Sequence, residues 1–275
     1  MSPIDALFGR LRSEGRKAFI PFLTAGDPSA AATVQVARSL PARGAGLLEI
    51  GFPYSDPIAD GPVIQASYTR ALDRGVRLDD VFACAKEISA APEYAGGRVP
   101  VVGMVSYSLV HRRGPERFLD RAIAAGLSGA IVPDLPVEES TALARLAAAR
   151  DFKLVQLVTP TTPRERARQI VALSTGFVYC VSVAGITGER DRLPSELLEQ
   201  LSWLRKETDL PLCVGFGVSR PEHVRMLREV ADGVIVGSAL VRLLEGADGD
   251  KLPKAAAAVG SLVGSLAAAL NPPAA

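Results

Sequence analysis

The amino-acid sequence predicts a single-domain (β/α)8 barrel, in which eight parallel strands alternate with helices over residues 1–275. Eight short and mostly apolar segments are each followed by a segment with helical periodicity, which is typical of parallel strands covered by helices. The chain length suits one such barrel, since these domains commonly reach ~250 residues. No G-x-G-x-x-G sequence follows the first strand, so an open Rossmann-like or flavodoxin-like sheet is the less favoured alternative.

The first half of the chain alternates strands and helices after one additional helix. Residues 3–13 carry apolar side chains at helical spacing and predict an extra N-terminal helix, which we interpret as docked on the barrel, where it could close one end. The predicted strands are apolar runs that end in glycine- or proline-containing loops, at 18–24, 46–51, 99–105 and 129–132. Further helices are expected around 34–40, at 62–74, 79–90 and 115–125, and up to residue 150, with 106–114 as a loop.

The second half repeats the same alternation. Its predicted strands are again short apolar runs, at 153–158, 177–183, 212–215 and 233–236. Threonines and prolines at 159–163 favour a helix start, and a further helix is expected at 221–230. The last helix, 254–270, has an apolar stripe that we expect to pack on the barrel and not in a membrane. Residues 271–275 (NPPAA) are expected to form a frayed tail.

Composition narrows the classes of function. The 31 Lys and Arg residues nearly balance 30 Asp and Glu residues, so the net charge of +1 predicts neither nucleic-acid nor acidic-membrane binding. The N-terminus has no uninterrupted apolar stretch typical of a signal peptide, and no later window is judged to approach the ~20 apolar residues of a membrane span. We therefore expect a cytoplasmic protein.

Cysteines and histidines are few and widely separated. Cys84, Cys180 and Cys213 lack C-x-x-C spacing, so they predict buried free thiols and not a disulfide framework or a thiolate metal site. His111 and His223 lie in polar surroundings and are interpreted as surface residues. Neither their spacing nor that of the cysteines is typical of metal ligands, so no metal site is expected.

Residues 47–62, LLEIGFPYSDPIADGP, form a short strand that runs into a loop rich in glycine and proline. Glu49 interrupts the apolar run near the carboxyl end of this strand, where burial would raise its pKa towards neutrality and allow proton transfer in both directions. Asp60 follows where the loop returns towards a helix. The alternatives are that Glu49 pairs with a core Lys or Arg, and that Asp56 and Asp60 are turn or helix-cap residues.

This stretch resembles the signature of the tryptophan synthase α subunit family. The positions that carry the resemblance are Glu49, Gly51, Pro53, Ser55, Asp56, Pro57, Ala59, Asp60, Gly61 and Pro62. The resemblance implies a retro-aldol cleavage of indole-3-glycerol phosphate to indole and glyceraldehyde 3-phosphate. In it Glu49 would transfer protons at indole C3 and at the side-chain hydroxyl, and Asp60 would stabilise the ring nitrogen. Such proton transfers call for neither a metal nor an organic cofactor.

The resemblance also implies a substrate pocket, a mobile loop and a phosphate site. Thr187 would lie on the mobile loop and help to order Asp60, while the indole pocket would be lined by Phe22, Leu127, Tyr179 and Phe216. The alternative is that these apolar residues are barrel core, which is equally favoured for Phe22 and Leu127. The phosphate would lie against the residues Gly188, Gly217, Gly237 and Ser238. Glycines after the last strands of a barrel let backbone N–H groups approach an anion, although each glycine alone is typical of a turn.

The sequence is least decisive about whether the chain works with a protein partner. The resemblance implies a β subunit and an α2β2 tetramer, with Pro53, Asp56 and Asp134 on the partner-facing side. Ser106 and Ser108 stand where the family usually has Tyr and Asn, which favours the alternative of a stand-alone lyase that releases indole.

The sequence leaves two further alternatives open. The first is another barrel enzyme acting on a phosphorylated sugar or amine, including one with a Schiff-base lysine. Lys153 is the strand lysine to consider, and it lies at the amino end of its strand. The second rival is a non-catalytic barrel, which has no need to retain Glu49, Asp60 and Thr187.

Overall fold

A computed structural model describes residues 1–182, 193–215 and 217–272. Its eight parallel strands form a closed barrel in sequence order, in which β1 pairs with both β2 and β8. This closure confirms the predicted (β/α)8 barrel and excludes the open sheet, in which the first and last strands do not meet. The strands are β1 Ala18–Thr24, β2 Leu48–Gly51, β3 Val101–Met104, β4 Gly129–Ile131, β5 Lys153–Val158, β6 Val178–Val181, β7 Leu212–Gly215 and β8 Gly233–Val236.

Helices surround the barrel, and one helix precedes the first strand. In the described residues they are α1 Pro3–Ser13, α2 Ala30–Ser39, α3 Pro62–Asp73, α4 Leu78–Ala90, α5 Tyr107–Arg113, α6 Pro115–Ala124, α7 Ser140–Ala148, α8 Arg164–Leu173, α9 Ser195–Glu207, α10 Pro221–Arg228, α11 Ser238–Leu244 and α12 Leu252–Leu270. The extra N-terminal helix is confirmed. The loop predicted at 106–114 is wrong, because Ser106 caps α5 by accepting a hydrogen bond from the Ser108 N–H, and Gly114 ends the helix at positive φ.

Two apolar clusters hold the fold together. One fills the space between the strands and the surrounding helices, and the other fills the barrel interior. Helix α1 closes the amino end of the interior, where Ile4, Leu7 and Phe8 are buried and the Phe8 and Phe177 rings lie 5.8 Å apart. The interior is therefore sealed at the amino end, and access is left at the carboxyl ends of the strands.

The C-terminal helix corrects two expectations. The segment Gly249–Leu270 is long and apolar enough to span a membrane by length and composition, contrary to the expectation that no such window exists. Val259, Val263 and Leu266 are nevertheless buried on the protein, as α12 packs against α10 and α11. The predicted frayed tail is wrong at Asn271, whose side-chain amide bonds both the N–H and the carbonyl of Lys17. Residues 273–275 lie outside the described part.

One of the two histidines and all three cysteines are buried. His223 is buried on α10, which corrects its interpretation as a surface residue, whereas His111 is exposed. The polar sequence around His223 was misleading because the inner face of α10 is set by helical periodicity and not by neighbours in the chain. The three cysteines are buried free thiols, as predicted.

Candidate active site

A pocket opens at the carboxyl ends of the strands, with a cavity volume of about 190 Å³. A cavity of ~150 Å³ admits benzene, so this space has room for a fused aromatic ring. Five of its lining side chains come from the ends of β1, β3, β5, β6 and β8, namely Phe22, Met104, Leu157, Tyr179 and Ile235. The lining also includes the two carboxylates Glu49 and Asp60. The pocket thus combines an apolar slot with two acids.

Glu49 is positioned by the middle of β2, in register with Phe22 on β1 and Val102 on β3. Its side chain is almost fully buried, and Glu49 Oε2 has no hydrogen-bond partner among the described residues. Burial, followed by the negative charge of Asp60, raises the pKa of Glu49 to about 8. Glu49 therefore carries a proton at neutral pH and can donate it. Among the described residues no Lys or Arg side chain forms an ion pair with Glu49, which excludes a core ion pair there.

Asp60 lies at the end of the loop that follows β2. The Asp60 N–H donates to the Pro57 carbonyl at 3.0 Å, and the Gln65 side-chain amide donates to the carbonyls of both Pro57 and Asp60. Asp60 is not the cap of α3, since Gly61 holds that position and the side chain of Asp60 lines the pocket. Gln65, one turn into α3, therefore fixes the backbone that presents the carboxylate.

The two carboxylates differ in protonation. Burial raises the pKa of Asp60 to about 6, although a hydrogen bond from Tyr54 lowers it and the charge of Asp134 raises it. At pH 7 Asp60 is therefore mostly ionised, whereas Glu49 is mostly neutral. Two acids with separated pKa values in one pocket are typical of an acid and an electrostatic stabiliser working together.

Two glycines explain how the aromatic walls fit. A Cβ atom at Gly51 would lie 2.4 Å from the Phe22 ring and 2.7 Å from the Tyr68 hydroxyl. A Cβ atom at Gly215 would lie within 2.3 Å of the Tyr179 hydroxyl. Because real Cβ atoms do not make such contacts, both strands need glycine where an aromatic side chain crosses the barrel mouth.

The far side of the pocket is built from the loop after β7 and the start of α11. Gly217, Gly237 and Ser238, three of the predicted phosphate-site residues, all line the pocket there. Sequence reasoning missed Ser219 and Arg242, which line the same side. Arg242 lies four residues after Ser238 on one face of α11, so helical periodicity could have identified it.

The predicted residues do not all meet in the pocket. Leu127 does not line it, which corrects the prediction. This residue precedes β4 at the amino end of the strand and is buried between the strands and the helices, where it lies near Gly103. Its place on β4 is taken by Ile131, which is in the interior cluster. The predicted residues Thr187, Gly188 and Phe216 lie outside the described residues.

Other lining residues were missed for a different reason. Met104 and Leu157 point inward because of strand parity, and parity cannot be assigned in strands that are apolar on both faces. The lysine considered for a Schiff base, Lys153, lies at the amino end of β5, where its ammonium group pairs with Asp5 at 2.6 Å and with Asp151 at 3.2 Å. Within the described residues no group of three or more His, Cys, Asp or Glu side chains could hold a metal ion.

Comparison with known proteins decides the family. The family model of the tryptophan synthase alpha chain matches residues 8–271. A tryptophan synthase alpha chain from Rhodopirellula baltica is 51% identical over 242 residues, which cover 88% of this chain and 86% of that protein. The chain belongs to the tryptophan synthase alpha chain family. It is accordingly an α subunit that acts in tryptophan biosynthesis, and it is a lyase that cleaves indole-3-glycerol phosphate.

Solved structures of tryptophan synthase agree with this membership. Subunit alpha from Legionella pneumophila matches with a TM-score of 0.86 at 34% identity, over 98% of this chain and 99% of that chain. A chain of the tryptophan synthase α2β2 complex from Pyrococcus furiosus matches with a TM-score of 0.82 at 39% identity, over 91% of this chain and 98% of that chain. The resemblance seen in residues 47–62 therefore extends over the whole barrel.

Proposed function

We propose that this pocket performs a retro-aldol cleavage in which Glu49 transfers protons and Asp60 stabilises the ring nitrogen of indole-3-glycerol phosphate. The observation that carries the proposal is the pairing of a neutral and an ionised carboxyl group in one aromatic-lined pocket. Phe22 and Tyr179 supply the apolar surface that an indole ring requires. The proposal extends the family assignment to the level of individual residues.

Glu49 delivers one proton to indole C3 and accepts another from the side-chain hydroxyl. Protonated Glu49 donates to indole C3, which gives an indolenine whose N–H carries positive charge next to ionised Asp60. The Glu49 carboxylate then accepts the proton of the side-chain hydroxyl. The oxygen forms the aldehyde carbonyl as the carbon–carbon bond breaks, and the electron pair of that bond restores the aromatic indole. Glu49 ends in its starting protonation state, so one carboxyl group serves both steps.

The phosphate of the substrate is proposed to lie against Gly217, Gly237 and Ser238. These three residues line the pocket on the side where α11 begins, and N–H groups in the first turn of a helix have no acceptor within the helix. Arg242 adds a positive charge on the same side and has no ion-pair partner among the described residues. Thr187 and Gly188 keep their predicted roles as part of this proposal, as does Phe216.

Indole release by the purified chain tests this function directly. Wild-type protein should form indole from indole-3-glycerol phosphate, and Asp60→Asn should lose most of this activity while Asp73→Asn, an exposed change on α3, should not. If Asp60→Asn changed KM and left kcat unchanged, Asp60 would have a role in binding and would not stabilise the charge on the ring nitrogen. A wild-type chain that formed no indole, with or without a partner subunit, would overturn the proposal.

We further propose a tryptophan synthase β subunit as the partner, in an α2β2 tetramer such as that of Pyrococcus furiosus. Ile58 lies on the loop between the two catalytic carboxylates and is 87% exposed, which is unusual for a large apolar side chain. Beside this loop runs a groove lined in part by Pro53, Ser55, Ser108 and Leu109. An apolar tip next to a groove at the barrel mouth fits a protein partner that covers the site.

The three free cysteines agree with a reducing, cytoplasmic compartment.

The stand-alone lyase remains the second candidate because of Ser106 and Ser108. The Ser106 hydroxyl donates to Asp134 at 2.6 Å and lies 2.7 Å from the Ser108 hydroxyl, and Asp134 also accepts from the Tyr107 N–H. These side chains therefore satisfy one another inside the chain, which leaves fewer polar groups for an interface.

Titration with a β subunit separates these two candidates. Ile58→Asp should weaken a complex by burying a charge, while Ile123→Asp, which places the same charge at an exposed isoleucine on α6, should leave binding unchanged. Full cleavage activity of the isolated chain together with no detectable complex would decide for the stand-alone enzyme.

A further inference from the structure

We propose that Tyr54 is a positioning residue for the cleavage reaction, because its hydroxyl holds the Asp60 carboxylate in the orientation that receives the indole N–H. This inference rests on the proposed function. The Tyr54 hydroxyl donates to Asp60 Oδ2 at 3.4 Å, across a loop of only six residues. Hydrogen bonds at catalytic sites are often long without substrate and tighten when the substrate binds.

The ring of Tyr54 is held from behind. Its centroid lies 5.6 Å from that of Tyr68, which is fully buried on α3, and the two rings are inclined at 51°. Tyr54 itself is half-buried and packs against the interior cluster of the barrel. Because α3 also carries Gln65, which fixes the backbone at Asp60, one helix supports both the carboxylate and its hydrogen-bond donor.

Among the described residues, Tyr54 is the donor that reaches the Asp60 side chain. Ser106, on the neighbouring loop, donates instead to Asp134 and so does not compete for this role. The titratable and charged groups that face Asp60 are otherwise Glu49, Asp134, Tyr68, Tyr179 and, on the far side of the pocket, Arg242. The charge of Asp134 repels Asp60, whereas Glu49 is mostly neutral at pH 7. The Tyr54 hydroxyl is therefore the described group that holds the Asp60 side chain in place.

Tyr68 provides a matched control. Its hydroxyl is buried and has no hydrogen-bond partner among the described residues, and its side chain does not line the pocket. Tyr54→Phe and Tyr68→Phe each remove one oxygen atom from adjacent rings, so the two variants share the loss of size and polarity. They differ in whether the lost hydroxyl was bonded to Asp60.

The test is the pH dependence of indole formation in the purified full-length chain. For Tyr54→Phe we expect kcat to fall about tenfold with little change in KM, since a hydrogen bond to a charged group is lost. The acid limb of kcat/KM should also move to higher pH, because the Tyr54 hydrogen bond lowers the pKa of Asp60. Tyr68→Phe should leave both kcat and the acid limb as in the wild type.

Two outcomes would overturn the inference. Wild-type kcat and an unchanged acid limb in Tyr54→Phe would show that the hydroxyl does not act on Asp60. Equal losses in both variants, accompanied by equal falls in Tm, would show that the ring pair serves packing alone. Neither outcome affects the proposed function, which a wild-type chain that forms no indole would overturn.

Discussion

Glu49 and Asp27 are both buried carboxylates near the mouth of the barrel, yet their surroundings are opposite. Asp27, in the loop after β1, receives a two-pronged contact from the Arg70 guanidinium at 2.7 and 3.1 Å, and Arg74 lies 3.4 Å away. Glu49 faces apolar and aromatic side chains, and one of its oxygens has no partner among the described residues. The ion pair of Asp27 joins the loop after β1 to α3, whereas Glu49 is free to exchange a proton.

The same contrast holds for the cations. Arg70 bridges Asp27 and Glu245, and thereby ties α3 to the end of α11. Arg242, on the same helix α11, lines the pocket and has no ion pair within the described residues. Arg70 is neutralised by the protein itself, whereas Arg242 is free to neutralise the phosphate that we propose lies in the pocket.

The largest expected effect is on turnover in Glu49→Gln. The amide keeps the shape of the side chain but cannot carry the proton to indole C3, so kcat should fall at least ~10²-fold. The comparison with Asp27 is sharpened by Asp27→Asn, which should keep most of kcat in the molecules that remain folded. Steady-state indole formation measures both variants, and near wild-type turnover in Glu49→Gln would remove this residue from the mechanism.

The next effect is on stability when Asp27 loses its partner. Arg70→Met should lower the free energy of unfolding by about 3–5 kcal/mol, since a buried carboxylate is left with only the more distant Arg74. Urea unfolding measures the loss. Arg225→Met is the matched control, because Arg225 pairs with Glu222 at 3.2 Å on the surface and such pairs contribute about 0–1 kcal/mol. Equal losses in both variants would break the distinction between buried and exposed pairs.

A third effect links the unpaired acid to pH. The folded-state pKa of Glu49 is about 8 against 4.5 for the unfolded chain, so the native state binds more protons between these values and its stability falls as pH rises through this window. Glu49→Gln lacks this fall. The variant should therefore match the wild type near pH 4.5 and exceed it by on the order of 2–3 kcal/mol above pH 8. Unfolding curves at several pH values measure the gap, and a gap that did not widen with pH would contradict the raised pKa.

The smallest expected effect concerns Arg242. Arg242→Gln should raise KM for indole-3-glycerol phosphate about fivefold, because an exposed cation contributes up to ~1 kcal/mol to binding an anion. Arg242→Lys keeps the charge and should recover most of the affinity. A substrate analogue without phosphate should bind both variants like the wild type. Equal weakening for the analogue would show damage to the pocket and not the loss of a phosphate contact.

The phosphate glycines call for different substitutions. Gly217 adopts φ +79°, so any side chain there strains the backbone whether or not phosphate is present. A Cβ atom at Gly237 would make only ordinary contacts, at 3.4 Å, with Phe22. Gly237→Ala is therefore the variant that reports on the ligand, and Gly217→Val reports mainly on the fold.

The sequence predicted the features that lie close together along the chain. Four strands, β1, β5, β7 and β8, have the predicted limits, because apolar runs bounded by turn residues define them locally. The remaining strands are shorter than predicted, because the apolar runs extend beyond the residues that pair with a neighbouring strand. Within one stretch of sixteen residues the sequence also identified both carboxylates and the family.

The tertiary structure decided which residues meet across the barrel. The hydrogen bond between Asp27 and Arg70 joins residues 43 positions apart, and one pocket is lined by both Glu49 and Arg242, almost two hundred positions later. Leu127 shows the limit of sequence reasoning, because its apolar character fits pocket and core equally and only the end of the strand on which it lies distinguishes them. The physical reason is that closure of the barrel sets which faces and strand ends converge, and side chains compete for the space there. Local sequence sets the chemistry that each strand end carries, and closure sets which of those groups share one site.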